Sequence, residues 1–142
     1  MNHSAGSKTL TKSTASVAAS ATFSHEIDTL GFKYASIDVV YSPFTGATSA
    51  YASVLKVQES DTSGSGQADV SGLSVTAGAG ATTGNYGAVA RFNVDLRGRK
   101  RYLTVVTSPG NTVAVVTAAR LSKAEQHAVT ATESGVNNVV NS

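Results

Sequence analysis

Apolar and polar residues alternate along several short stretches of this chain, a pattern typical of β-strands that bury one face. The clearest stretch is 88–96, AVARFNVDL. Its side chains predicted to face the core are Ala88, Ala90, Phe92, Val94 and Leu96. Residues 32–41, FKYASIDVVY, predict a second strand that ends before Ser42 and Pro43. There the predicted core face is Ala35, Ile37, Val39 and Tyr41.

Three further stretches predict strands. Residues 53–58 alternate more briefly, with Leu55 and Val57 on one face. The run 101–107, RYLTVVT, is followed by the sequence Ser108 to Asn111, whose Pro and Gly suit a type II turn. This predicts a hairpin that returns through 112–120, TVAVVTAAR, as a strand buried on both faces.

The Gly- and Ser-rich segment 60–87 is predicted to be mostly loop. A short strand at 70–75 would divide it into two ordinary loops, and we favour that division. A turn is expected at 45–52.

Both ends of the chain are poor in large apolar side chains. We expect residues 1–22 to be an N-terminal arm with room for one edge strand, 23–121 to be the β-domain, and 122–142 to be a C-terminal arm. A helical turn at 122–127, capped by Ser122 and Glu125, is an alternative for the start of the last segment. The predicted fold is all-β, a β-sandwich or jelly-roll-like single domain with flexible N- and C-terminal arms.

Composition narrows the functional classes. The chain has 142 residues and no cysteine, which leaves out disulfides and thiolate metal sites. No stretch resembles a signal peptide or a membrane span, so we expect synthesis in the cytoplasm and no membrane partner. Residues 1–90 hold 4 Lys/Arg against 6 Asp/Glu, and residues 91–142 hold 7 against 3. This modest basic surplus does not favour nucleic acid, whose binders usually carry a denser stripe of Lys and Arg.

The residues that could carry chemistry form no recognised motif. His3, His25 and His127 lack metal-ligand spacing, and we expect the histidines and the many serines to be solvated surface. The glycines at 78, 80 and 84 are not followed by the Lys-Ser/Thr pair of a phosphate loop. Calcium binding through Glu59, Asp61 and Asp69 is a minor alternative without EF-hand spacing. The sequence therefore predicts no catalytic, cofactor or metal site.

The strongest local feature is a basic turn around Gly98, whose four charges should repel one another. Its cations are Arg97, Arg99, Lys100 and Arg101. One interpretation is a solvated hairpin end with pairing to Asp95. The other is a contact site for the carboxylates of a protein partner.

Three strings resemble small head decoration, or capsid cement, proteins of tailed bacteriophages. They are EIDTLGFKYASIDVVYS (26–42), LKVQESDTS (55–63) and RFNVDLRGRKRYLTVVTSPGNTVAVVTAARLSKAEQ (91–126), which cover about the central two-thirds of the chain. The resemblance implies a non-enzymatic virion protein on the outer capsid surface that binds the major capsid protein and stabilises the head.

The resemblance makes the basic turn a candidate capsid contact and leads us to expect a homodimer or homotrimer. We also expect the two arms to order on assembly. The alternatives are a tail or fibre module, a carbohydrate-binding β-sandwich and a small hydrolase. A glycan-binding module would show clustered exposed aromatic residues, for which the candidates are Tyr41, Phe44, Tyr51 and Tyr86.

Overall fold

Eight antiparallel strands form two four-stranded sheets in a computed structural model that describes residues 6–43, 51–75 and 87–123. The strands are β1 (Lys8–Val17), β2 (Phe23–Asp28), β3 (Tyr34–Tyr41), β4 (Ala52–Ser60), β5 (Ala68–Ser74), β6 (Ala88–Asp95), β7 (Tyr102–Pro109) and β8 (Val113–Ser122). Sheet A has the order β1-β8-β3-β6, and sheet B has the order β2-β7-β4-β5. In the part of the chain described, no helix is long and apolar enough to cross a membrane.

The strand order is that of a jelly roll. Strand β1 pairs with β8, β2 with β7, β3 with β6 and β4 with β5, and these nested pairs alternate between the two sheets. Such nesting arises when one long antiparallel hairpin is rolled up, so that each sheet takes every second pair. The predicted all-β sandwich is confirmed, and the topology selects its jelly-roll form.

Alternating burial along the strands confirms the core faces predicted from the sequence. In β3 the inward residues Ala35, Ile37, Val39 and Tyr41 are at most 1% exposed. In β6 the inward side chains of Ala90, Phe92 and Val94 are buried, and Leu96 after the strand is buried too. In β4, Leu55 and Val57 fill the opposite side of the core. The sheets are joined mainly by these apolar side chains, whose burial drives folding.

The predicted hairpin after residue 107 is wrong. Strand β7 belongs to sheet B, whereas β8 lies in sheet A between β1 and β3. The connection 110–112 therefore crosses from one sheet to the other, and Gly110 N donates to Tyr51 O at 3.1 Å. Both strands have a row of buried side chains, and β8 pairs on its two sides with β1 and β3, so no edge of β8 is left for β7. The two-faced burial predicted for β8 is also wrong, since Val116 and Arg120 are exposed.

Some predictions for the chain ends and the long loop agree with the structure, and others do not. Residues 8–17 form the edge strand allowed within 1–22 and pair with β8. Strand β5 divides the segment 60–87 as favoured. Ser122 is the last residue of β8, so it does not cap a helical turn. The remaining residues of the proposed turn and the C-terminal arm from 124 onwards lie outside the described residues, as do 1–5, 44–50 and 76–86.

Three connections between strands lie at one end of the sandwich. They are the segments 29–33, 61–67 and 96–101, and the start of β1 and the end of β8 lie at this end as well. Backbone hydrogen bonds tie them together: Thr29 N donates to Arg101 O, and Leu96 N donates to Lys33 O, both at 3.0 Å. We call this the basic end, because it carries the basic turn.

Candidate functional site

The basic turn is a fixed backbone structure that joins sheet A to sheet B. It is not the predicted hairpin end, because β6 and β7 lie in different sheets. Arg97 N donates to the Asp95 carboxylate at 3.0 Å, and Arg99 N donates to Leu96 O at 3.0 Å. Gly98 has a φ of 79°, a left-handed conformation that glycine adopts without a side-chain clash. The turn therefore holds its four cations in defined positions.

Each cation of the turn has an acidic partner in the same chain. Arg97 Nε lies 2.9 Å from Asp95 Oδ1, and Lys100 Nζ lies 3.2 Å from Asp61 Oδ2. The two remaining pairs are Arg99 with Glu59 at 3.5 Å and Arg101 with Asp28, which is bidentate at 2.8 and 2.9 Å. The sequence prediction of pairing to Asp95 is confirmed. The premise of four unbalanced charges is wrong, because the fold brings acids from β2, β4 and the 61–67 segment to the turn.

These ion pairs affect the protonation of their carboxylates, whereas their contribution to the stability of the fold is small. Hydrogen bonds from Arg101 hold the pKa of Asp28 below its usual value, and those from Arg97 do the same more strongly for Asp95. Both carboxylates therefore stay ionised at neutral pH. The pairs are solvent-exposed, with the Arg97 side chain 77% accessible, so water and salt screen them and they contribute little to stability. Replacing the carboxylate of such a pair by a carboxylate of a protein partner therefore costs little free energy.

Every acidic side chain in the described residues is engaged in this way. Away from the turn, Asp38 is held by Arg91, Asp69 by Lys56 and Gln58, and Glu26 by the Ser63 hydroxyl and Gly64 N. The three proposed calcium ligands, Glu59, Asp61 and Asp69, thus each face a cation of the protein. The described residues contain no group of three metal-binding side chains.

The histidine prediction needs correction at one position. His25 points inward from β2 and is only 7% exposed, so it is core and not solvated surface. Its Nδ1 lies 2.6 Å from the hydroxyl of Thr117 on β8. Burial lowers the pKa of His25, and the positive charge of Lys12 adds to this effect. His3, His127 and the glycines at 78, 80 and 84 lie outside the described residues.

The aromatic candidates do not form an exposed cluster in the part that is described. Tyr41 is buried, and its ring lies 5.3 Å from that of Tyr51, which is partly buried against the core. The Tyr41 hydroxyl meets Thr107 Oγ1 at 2.6 Å, and burial raises the pKa of Tyr41 to about 12. Phe44 and Tyr86 lie outside the described residues.

Sequence reasoning missed a feature on the outer face of sheet A. Three exposed valines, Val116, Val40 and Val89, stand in register on the neighbouring strands β8, β3 and β6. A row of cross-strand neighbours forms a continuous surface. The signal was present as an outward valine in three separate strands, but only the strand order reveals that they meet.

No protein-family model matches this chain, and a search of curated proteins finds no match.

Proposed function

We propose that this chain is a structural virion protein, a capsid decoration protein that binds the outer surface of the major capsid protein lattice and stabilises the head. The observation that carries the proposal is the jelly-roll strand order, an architecture used by viral capsid proteins and lectins. The resemblance of residues 26–42, 55–63 and 91–126 to phage head decoration proteins points the same way.

The chemistry of the side chains supports a binding role. All seven described acids are held by cations or hydrogen-bond donors, and the buried His25 is bonded to a threonine. General acid–base catalysis needs a group whose pKa lies near the working pH, whereas hydrogen bonds lower the carboxylate pKa values still further at five positions: Glu26, Asp28, Asp38, Asp69 and Asp95. The ion pairs and hydrogen bonds of these groups hold side chains in defined positions on the protein surface.

The basic end is the proposed contact surface. Arg97, Arg99, Lys100 and Arg101 are presented by a rigid turn, and their exposed ion pairs can be exchanged for carboxylates of the capsid at little cost. Repetition of one modest contact over a symmetric lattice gives strong overall attachment through avidity. The proposal includes a homodimer or homotrimer, the ordering of the two arms on assembly and a location on the outer surface of the virion.

Co-sedimentation of the purified protein with expanded, undecorated phage heads tests the proposal. We expect saturable binding at a fixed ratio of protein to capsid subunits, and weaker binding as salt screens the charged contacts. Absence of binding at every salt concentration would contradict a capsid role. In that case a glycan array would test the lectin-like alternative that the same strand order allows.

A matched pair of triple variants tests the basic turn within this experiment. Arg99→Gln, Lys100→Gln and Arg101→Gln together remove three cations. Asp28→Asn, Glu59→Gln and Asp61→Asn together break the same three ion pairs but leave the cations free. We expect the first variant to bind heads more weakly and the second to bind at least as well as the original protein. Equal loss in both would assign the turn a purely structural role.

A further inference from the structure

The excess positive charge at the basic end comes from lysines outside the basic turn, because the four cations of the turn all have acidic partners. In the described residues, five cations have no acidic ion-pair partner within 4 Å: Lys8, Lys12, Lys33, Arg120 and Lys123. Lys12 is used locally, because its ammonium group donates to Ser24 O. Three of the others stand at the basic end of sheet A, where β1 begins, β3 begins and β8 ends.

Two of these lysines line the same small cavity. It has a volume of about 110 Å³ and is lined by Lys33, Tyr34, Asp95, Arg97 and Lys123. The backbone around it is tied together, since Lys33 N donates to Ser122 O at 3.3 Å and Leu96 N donates to Lys33 O at 3.0 Å. The cavity is therefore built by three different segments of the fold.

Lys123, which lines the cavity, has a strained backbone conformation. Its φ of 55° lies in the left-handed region, which is sterically unfavourable for a residue with a Cβ atom. Strain of this kind is common at positions that present a side chain to a binding site.

Hydrogen-bonding partners show which donors of the cavity are free. Arg97 directs Nε and one terminal nitrogen at Asp95, so its guanidinium fork is occupied. Among the described residues, the ammonium groups of Lys33 and Lys123 and the Tyr34 hydroxyl form no hydrogen bond or ion pair within 4 Å, although the charge of Lys123 helps to lower the pKa of Asp95. The lining carries three positive charges and one negative charge, and its unused groups are donors.

We propose that this cavity binds a carboxylate side chain of a protein partner, with Lys33 and Lys123 supplying the charge and Tyr34 a hydrogen bond. A carboxylate fits the donors better than a phosphate. Asp95 is part of the lining and would repel a phosphate dianion more strongly than a carboxylate monoanion. The inference rests on the proposed function only for the partner's identity, which would be an acidic residue of the capsid.

An NMR titration tests the site without capsids. The probes are the capped tripeptide Gly-Glu-Gly, its Gly-Gln-Gly analogue and inorganic phosphate. We expect saturable shifts at Lys33, Tyr34 and Lys123 with the glutamate peptide alone. The double variant Lys33→Gln, Lys123→Gln should bind about tenfold more weakly, equivalent to about 1.4 kcal/mol. Arg120→Gln is the matched control, because Arg120 is also unpaired but does not line the cavity, and its affinity should be unchanged.

Several results would overturn the inference. They are no saturable shift with the glutamate peptide, an equal response to the glutamine analogue, tighter binding of phosphate than of the peptide, or unchanged affinity in the double variant.

The head-binding assay separates this inference from the proposed function. If the original protein and the double variant bind heads equally, the capsid role stands and the cavity is not its contact. If the original protein binds the glutamate peptide but no heads, the carboxylate site stands and the capsid role fails.

Discussion

The imidazole of His25 and the hydroxyl of Thr117 meet at 2.6 Å in the core, one from each sheet. Thr117 Oγ1 also lies 3.3 Å from Lys12 O on the neighbouring strand β1. Tyr41 and Thr107 repeat the arrangement in the opposite direction. Thr107 Oγ1 donates to Val54 O at 3.0 Å and accepts from the Tyr41 hydroxyl. Two threonines thus each link a polar side chain of the opposite sheet to a neighbouring strand of their own sheet.

The free energy of unfolding should decrease as the pH is lowered, because of His25. Its pKa is lowered in the folded chain, so as pH falls below about 6.5 the unfolded chain takes up a proton that the folded chain resists. The stability present at pH 7.5 is therefore lost progressively toward pH 5.5, by at most about 1.4 kcal/mol per pH unit for one such group. Urea unfolding at a series of pH values measures this slope.

His25→Phe is the matched variant for this measurement, because it keeps an aromatic ring in the core without a titrating group. Its slope between pH 7.5 and 5.5 should be clearly smaller than that of the original protein. The pKa values of Asp28, Asp38 and Asp69 are lowered by their hydrogen bonds, so these carboxylates titrate below this range. Equal slopes would mean that His25 can be protonated freely in the folded state.

Removing the Tyr41 hydroxyl should cost less than removing that of Thr107. Tyr41→Phe loses one buried hydrogen bond, worth about 1 kcal/mol, while Thr107 keeps its bond to Val54 O. Thr107→Val leaves the buried Tyr41 hydroxyl without its partner, which costs about 1–3 kcal/mol. Denaturant unfolding of both variants and the double variant gives their coupling. Additive effects would show that the two hydroxyls do not interact.

Substitution of two adjacent valines in β3 should change stability to very different extents. Val39 is fully buried, so Val39→Ala should cost about 2 kcal/mol of unfolding free energy. Val40 is 37% exposed on the outer face, so Val40→Thr should change stability by less than about 0.5 kcal/mol. A register shifted by one residue would reverse this order, because each side chain would change faces.

Gly87 should not tolerate a side chain. A Cβ atom there would overlap the carbonyl oxygen of Tyr41, which is backbone and cannot move aside cheaply. Gly87→Ala should therefore lower the unfolding free energy by about 1–3 kcal/mol. Gly6→Ala is the control, since a Cβ at Gly6 meets no atom within 4 Å. Similar thermal stability of the two variants would contradict the close approach of β3 and the start of β6.

Local alternation was enough to predict the core faces but not the path of the chain. Residues 88–96 and 32–41 could be read directly, because burial of one face imposes a period of two. The Pro-Gly sequence in 108–111 predicts a hairpin but connects the two sheets, since such a sequence bends the chain equally well within a sheet or between two sheets. Only the competition among all eight strands decides which pairing buries most apolar surface.

The candidate site was predicted only in part for a similar reason. Arg97 and Asp95 are two residues apart, so their pairing was visible in the sequence. The partners of Arg99, Lys100 and Arg101 come from 39–73 positions away along the chain, at Glu59, Asp61 and Asp28. The cavity between Lys33 and Lys123 likewise needs three segments that only the fold brings together.

Cryo-electron microscopy of expanded heads saturated with the protein tests the central claim most directly. The account predicts jelly-roll density at fixed positions on the outer lattice, with the basic end, including Lys33 and Arg101, against acidic residues of the major capsid protein. Heads that carry no added density, or density that contacts the capsid only through the opposite end of the sandwich, would contradict it.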